Sequence, residues 1–258
     1  MALLPKHLPI LMYHQVLPKT HPDFAKHIAI DPDDFRNHIQ TLKNLGWKFK
    51  TVDQYFSEPQ EDKVAILTFD DCASSFFDFG LPVIEEFGIK VSVFPIQNMT
   101  THREYHNLSK DGVRGLTEDE LKHIASLGHE LGSHAQSHRN LHTIPFEEVT
   151  AELTESKAWL ESITGRPVNT VCYPIGGIDR DIIELATKLG FKNGLSIFKC
   201  SLQVLPADRM KLRRVDIKHH TVGDKFLSAI GPFYGFRRFL TRPFRSKYRV
   251  DMRHPSFQ

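Results

Sequence analysis

Apolar and polar positions along the chain alternate between two patterns. Short, nearly unbroken apolar runs occupy residues 9–13, 64–69, 90–96, 168–173 and 191–197. Runs this short, rich in β-branched residues, predict strands covered on both faces. Between them the apolar positions recur at helical spacing. Asp31-Pro32-Asp33-Asp34 predicts a helix start, with a capping side chain, a proline at the first position and acids at the positive end of the helix dipole. Phe35, Ile39, Leu42 and Leu45 then form one stripe, which Gly46 ends. A helix interrupted near Gly80 and Pro82 is expected to finish at Gly88, and 97–115 reads as a polar, irregular loop. Thr117 and Glu120 form a capping box that opens a short helix closed by Gly128. Longer helices are predicted over 145–164, closed by Gly165, and over 179–189, followed by Gly190. Strands alternating with helices predict a parallel α/β sheet or barrel.

Length and composition narrow the class. The 258 residues are enough for one large core, and 40% hydrophobic with 25% charged residues describes an ordinary globular protein. A net charge of +2 argues against a general nucleic-acid binder, so no nucleic acid is expected as a partner. No run is long and apolar enough to span a bilayer. The first residues, Met1-Ala2-Leu3-Leu4-Pro5-Lys6-His7, do not read as a secretory signal, and Cys72, Cys172 and Cys200 have no disulfide-framework spacing. Both point to a cytoplasmic protein with reduced thiols.

The end of the chain is compositionally distinct. From Pro232 it interleaves Phe233, Tyr234, Phe236, Phe239 and Phe244 with Arg237, Arg238, Arg242, Arg245, Lys247 and Arg249. The expected division is a catalytic domain over 1–231 and a basic, aromatic tail over 232–258. Such a tail suits an anionic membrane surface, which would put the protein on the inner membrane face. It equally suits packing along the domain.

Candidate chemistry centres on two clusters. Asp70 and Asp71 close the run at 64–69, and Glu130-Leu131-Gly132-Ser133 leads into His134 and His138. Neighbouring side chains on a strand point in opposite directions, so one carboxylate can bind a metal while the other moves protons. Two His four residues apart face the same way in a helical or turn-like segment. Asp71, His134 and His138 would give a divalent ion such as Zn²⁺ three protein ligands and leave a position for water. The plainer reading of Asp-Asp is turn chemistry at a strand end. Tyr13-His14, Asp70-Asp71, His134 and Tyr173-Pro174 all fall at or after strand ends, where parallel α/β folds bind ligands.

These residues carry a resemblance. Thr68-Phe69-Asp70-Asp71 and Ser133-His134-Ala135-Gln136-Ser137-His138 resemble the first two motifs of the polysaccharide deacetylases, the NodB-homology carbohydrate esterases. Leu11-Met12-Tyr13-His14, Tyr173-Pro174-Ile175-Gly176 and Leu212-Arg213-Arg214-Val215-Asp216 are similar to segments of its poly-N-acetylglucosamine deacetylase branch. The resemblance covers roughly residues 8 to 220. It implies a distorted, incomplete (β/α) barrel and removal of N-acetyl groups from an amino-sugar glycan or its precursor. The metal would be Zn²⁺, with Co²⁺ or Ni²⁺ as substitutes.

On that resemblance, Asp70 would be the general base, and Asp71, His134 and His138 the metal ligands. His14 would be the general acid, with His219 and His220 as alternatives. Tyr173, Pro174 and Ile175 would line the pocket, and the Ile175 N–H would stabilise an oxyanion. Arg214 would either pair with Asp70 or sit on the rim. Three positions depart from the family pattern: Cys72 stands for a glycine, Cys172 for an arginine and Ile175 for a tyrosine. Cys72 is also a conceivable extra ligand. A related hydrolase of another C–N or ester bond, or a glycan-binding protein without activity, would share the same residues.

Overall fold

The computed structural model describes residues 6–24, 28–101 and 113–234. The five apolar runs all contain strands, and two more strands join them. In chain order they are β1 (Ile10–Tyr13), β2 (Val64–Asp71), β3 (Ser92–Pro95), β4 (Glu130–Leu131), β5 (Thr170–Cys172), β6 (Asn193–Lys199) and β7 (Leu212–Asp216). They pair in the order β4-β3-β2-β1-β7-β6-β5, and every pairing is parallel. A single parallel bridge between Ser133 and Val171 joins the two ends. There the Ser133 N–H donates to the Thr170 carbonyl at 3.0 Å, and the Cys172 N–H donates to the Ser133 carbonyl at 2.8 Å. The sheet therefore curls into a barrel whose seam lies between β4 and β5.

Alternation along the strands fills both faces. Ile10, Ile66, Phe94, Cys172, Leu195 and Leu212 pack together on one side. Leu11, Tyr13, Leu67, Phe69, Val93, Val171 and Val215 meet the helices on the other. Gly132 allows the close approach at the seam: a Cβ there would stand 2.3 Å from the Phe94 ring and 2.9 Å from the Thr170 carbonyl.

The helices are α1 (Pro32–Asn44), α2 (Val52–Ser57), α3 (Leu81–Glu86), α4 (Gln97–Thr101), α5 (Glu118–Ser126), α6 (Phe146–Thr164), α7 (Arg180–Lys188) and α8 (Asp224–Ile230). Asp31 caps α1, and Phe35, Ile39 and Leu42 are buried as expected. Leu45 is not; the helix ends before it and leaves it 44% exposed. The interruption near Gly80 is a π-helical turn, Phe76–Gly80, running into α3 with Pro82 in its first turn. The segment 97–115 opens with α4 rather than a loop, and its residues 102–112 lie outside the described residues. A strand at Lys48–Phe49 pairs with β2, and α2 carries a capping box of Thr51 and Gln54; both are too short to show a period. Of the basic tail, 235–258 lie outside the described residues. Its first residues turn back onto the barrel, where the Ser201 N–H donates to the Tyr234 carbonyl at 3.4 Å.

One packing detail sets an acid limit. His38 on α1 is buried, its ring stacked on Phe226 at 3.8 Å and its Nδ1 3.1 Å from the Tyr13 hydroxyl. Burial lowers its pKa from 6.5 to about 4. The neutral form is favoured on folding, so the stability it contributes is present above pH 6.5 and lost as pH falls toward 4. Between pH 7 and 4.5 this residue should remove about 2 kcal/mol. His38→Phe is expected to flatten that loss in urea unfolding at the two pH values. An unchanged pH slope would contradict it.

Candidate active site

All the strands run the same way, so their carboxyl ends form one rim. Asp70 and Asp71 end β2, His14 follows β1, His134 follows the seam residue Ser133, and Tyr173 follows β5. Arg214 lies within β7 and reaches across to Asp70. Its Nη1 donates to Asp70 Oδ1 at 2.6 Å and its Nη2 to Oδ2 at 2.7 Å. Its Nε donates to the Ser196 carbonyl at 2.9 Å, and its Nη1 lies 3.3 Å from Thr68 Oγ1. Arg214 is 1% exposed, which excludes a rim charge. Burial pushes the Asp70 carboxyl up, but the charges of Arg214 and His134 and the Arg214 hydrogen bonds outweigh it and hold it below the usual range. Asp70 is thus ionised and oriented, a bidentate pair of the strong kind.

Asp71 has a different neighbourhood. Its φ of 65° swings the backbone out of the strand at the last residue. One carboxylate oxygen, Oδ1, lies 3.4 Å from Nε2 of His134 and 3.4 Å from Nε2 of His138. That oxygen is buried and has no hydrogen bond. His134 Nδ1 lies 2.7 Å from the Cys172 carbonyl. A carbonyl only accepts, so Nδ1 carries a proton, and Nε2, the nitrogen facing Asp71, is the one that a bound ion would take once it is deprotonated. Burial lowers the pKa of both imidazoles. At His134, Cys172, Asp71 and Asp70 outweigh it and raise the value; at His138, burial and the charge of His134 bring it to about 4.

Donor atoms of Asp71, His134 and His138 all lie within 4.8 Å of one another. Atoms about 2.0–2.1 Å from a tetrahedral ion stand about 3.4 Å apart, so the set fits a divalent cation. The Asp71 oxygen without a hydrogen bond, 3.4 Å from two imidazole Nε2 atoms, carries that fit. Segment 134–138 is not a helix: Ala135 and His138 are left-handed, with φ of 62° and 61°, and these reversals bring the two rings together.

Backbone strain gathers here. Among the described residues, Lys63 is the one non-glycine residue with a left-handed φ away from the site; Asp71, Cys72, Ala135, His138 and Ile175 are the others. Such conformations persist where the surroundings over-determine them, and they concentrate at functional sites. They also explain the family's glycine at position 72. Cys72 is not among the donor atoms grouped with His134 and His138; its thiol donates to the Phe69 carbonyl at 3.4 Å, and burial with the charges of Asp70 and Asp71 pushes its pKa well up.

Two further expectations need revision or refinement. The Tyr173 side chain does not line the pocket. It is fully buried, because alternation turns Cys172 inward to Asp70 and Tyr173 outward into the helix-side core. Pro174 is buried as well, and the residue after it, Ile175, is left-handed at φ 55° and ψ 9°. His14 is half-buried and is a charge neighbour of Asp70, Asp71 and His138; its Nδ1 is buried without a partner. His219 and His220 lie in the turn after β7, edge to face with each other at 5.1 Å between ring centroids. Sequence reasoning missed Glu130, which accepts from Ser92 Oγ at 2.7 Å, Thr170 Oγ1 at 2.5 Å and the Asp53 N–H at 3.1 Å, and so ties β3, β4 and β5 together. Its only signal is a carboxylate beside an apolar seam. It also missed Glu152, whose contacts are given below.

The family model "Polysaccharide deacetylase" matches residues 57–194, which include both aspartates and both histidines of the cluster. The chain belongs to the polysaccharide deacetylase family. Among curated deacetylase relatives, it is 24% identical over 220 residues to the poly-beta-1,6-N-acetyl-D-glucosamine N-deacetylase of Staphylococcus epidermidis, covering 82% of this chain and 74% of that protein. It is 23% identical over 197 residues to YxkH of Bacillus subtilis (strain 168), whose name assigns it provisionally to the polysaccharide deacetylases. That match covers 74% of this chain and 65% of YxkH, so the chain spans just under two thirds of that relative. The Streptococcus pyogenes deacetylase PplD, solved in complex with acetate, superposes with a TM-score of 0.77 at 22% identity, covering 89% of this chain and all of that one. The deacetylase barrel is therefore shared, while His14 and Arg214 lie outside the segment matched by the family model.

Proposed function

We propose that this deacetylase-family protein hydrolyses N-acetyl groups from an amino-sugar glycan, using a divalent cation held by Asp71, His134 and His138. The supporting observation is the buried Asp71 oxygen, free of hydrogen bonds, facing two imidazole Nε2 atoms beside an arginine-locked Asp70. Zn²⁺ suits two nitrogens and a carboxylate best, with Co²⁺ or Ni²⁺ able to replace it. Such an ion, when bound, supplies Lewis acidity at the acyl oxygen and acidifies water.

The chain's own groups do the rest. Asp70 takes the proton of the attacking water; its Oδ1 meets Arg214 Nη1 at 2.6 Å and keeps a second lone pair for that proton. Arg214 fixes the carboxylate's direction. The Ile175 N–H, set by its left-handed φ, donates to the oxyanion as the carbonyl carbon becomes tetrahedral. His14 gives a proton to the departing amine. The C–N bond breaks, the water oxygen ends in acetate, the amine leaves as neutral R–NH2, and the proton that Asp70 took and the acetic acid proton pass to solvent, His14 and the amine.

The substrate follows the name of the Staphylococcus epidermidis relative: a polymer or oligomer of N-acetylglucosamine. Cation-loaded protein is expected to release acetate from β-1,6-linked N-acetylglucosamine oligomers and to stop when chelated. His14→Ala is expected to lose about 10²–10⁴-fold in kcat while cation content stays at the wild-type level. Acetate from simple acetyl esters but none from the amide oligomers would favour the esterase alternative. A protein that binds the oligomers and the cation without turnover would be the inactive binder.

A further inference from the structure

We propose that Glu152, on helix α6, is the positioning residue that sets His138 for cation binding; this rests on the cation site proposed above. The His134–His138 segment has no helical ladder of its own and contains two left-handed residues. Its support comes from one face of α6. Glu148, Glu152, Glu155 and Ser156 are spaced three and four apart, which puts them on a common face. Ser156 meets Ser133 at 2.7 Å between hydroxyls, Glu155 accepts from Gln136 Nε2 at 2.5 Å, and Glu148 pairs with Arg139.

Glu152 is the carboxylate of this set that is buried, at 1% exposure. Its Oε2 accepts from the backbone N–H of Gln136 at 2.9 Å and of Ser137 at 2.8 Å. Its Oε1 accepts from the Ser137 hydroxyl and from Arg139 Nε at 3.2 Å and Nη2 at 3.1 Å. The residues on both sides of His138 are thus tied to one carboxylate, and Arg139 balances its charge. His138 is suspended between two anchored neighbours in a conformation that a non-glycine residue avoids when free. Removing the carboxylate strands two inward backbone donors and releases the constraint that holds Nε2 3.4 Å from Asp71. The helical spacing of these glutamates is visible in the sequence, but only the fold shows what they face.

The test is cation affinity in the full chain, read with Zn²⁺ against a chromophoric chelator and with the Co²⁺ absorption spectrum, alongside urea unfolding of the cation-free protein. Glu152→Ala is expected to weaken affinity about 10–100-fold, the range for supports behind metal ligands. Glu152→Gln keeps an acceptor for the two backbone N–H groups and is expected to recover most of that loss. Glu155→Ala, which touches only the Gln136 side chain, is expected to stay within about twofold, as for a surface contact. Should Glu152→Ala fail to fold, Glu152→Asp replaces it: the shorter carboxylate cannot reach both neighbours of His138, and the same order of loss is expected. A folded Glu152→Ala or Glu152→Asp protein with wild-type affinity would overturn the role of Glu152 and leave the cation site standing. Wild-type protein that takes up no cation would overturn the site itself.

Discussion

Protein in which Asp71, His134 and His138 are all replaced by Ala is expected to come off purification without a stoichiometric divalent cation and without measurable acetate release. Each single replacement should already cut kcat/KM by at least about 10²–10³-fold, the loss typical of one preorganised electrostatic contact. The basis is geometric: one buried carboxylate oxygen 3.4 Å from two imidazole nitrogens, with the His134 tautomer fixed by the Cys172 carbonyl. Elemental analysis of each variant, with circular dichroism as a check on folding, decides the matter. A triple variant that keeps its cation would remove these residues from the ligand set.

Asp70→Asn should separate proton transfer from cation binding. The cation should stay while kcat drops about 10²–10⁴-fold, because an amide cannot take the proton of water. The same pair makes a second, independent statement about stability. Asp70 and Arg214 are both almost completely buried and bind each other bidentately. Removing one member leaves a buried charge without its counter-ion, at a cost of about 3–5 kcal/mol. Arg214→Met should therefore destabilise strongly in chemical unfolding, and the double variant Asp70→Asn with Arg214→Met should recover part of the loss. Additive losses in the double variant would mean that the two groups do not act as a pair. Loss of cation from Asp70→Asn, with Asp71→Asn keeping it, would exchange the roles of the two aspartates.

The strands were legible because a barrel buries both of their faces, leaving runs such as Val64-Ala65-Ile66-Leu67 without polar interruption. The cluster of Asp71, His134 and His138 was legible because its residue types admit few uses together. What stayed hidden has two physical sources. Elements such as α2 and the Lys48–Phe49 strand are shorter than the period that would announce them. Conformation at single residues is not written in pattern at all: the spacing left a helical or a turn-like segment open, and Ala135 and His138 bring the imidazoles together through φ reversals. Tyr173 was read as pocket-lining because its motif lies at the rim, yet strand alternation sends its ring into the core. Glu152 carried only the look of a surface helix carboxylate.

The seam of the barrel has a bearing on how the molecule holds together. Seven parallel strands form a hoop whose ends meet between β4 and β5 at the Glu130–Thr170 hydrogen bond and the Ser133–Val171 backbone bridge. His134 is the next residue, and its ring reaches over that joint to the Cys172 carbonyl while facing Asp71 on β2. A cation on this histidine would therefore work as a buckle across the joint. Opening the seam and releasing the ion would then be one event, and at 100 times Kd the ion would add about 2.7 kcal/mol to the closed form by mass action.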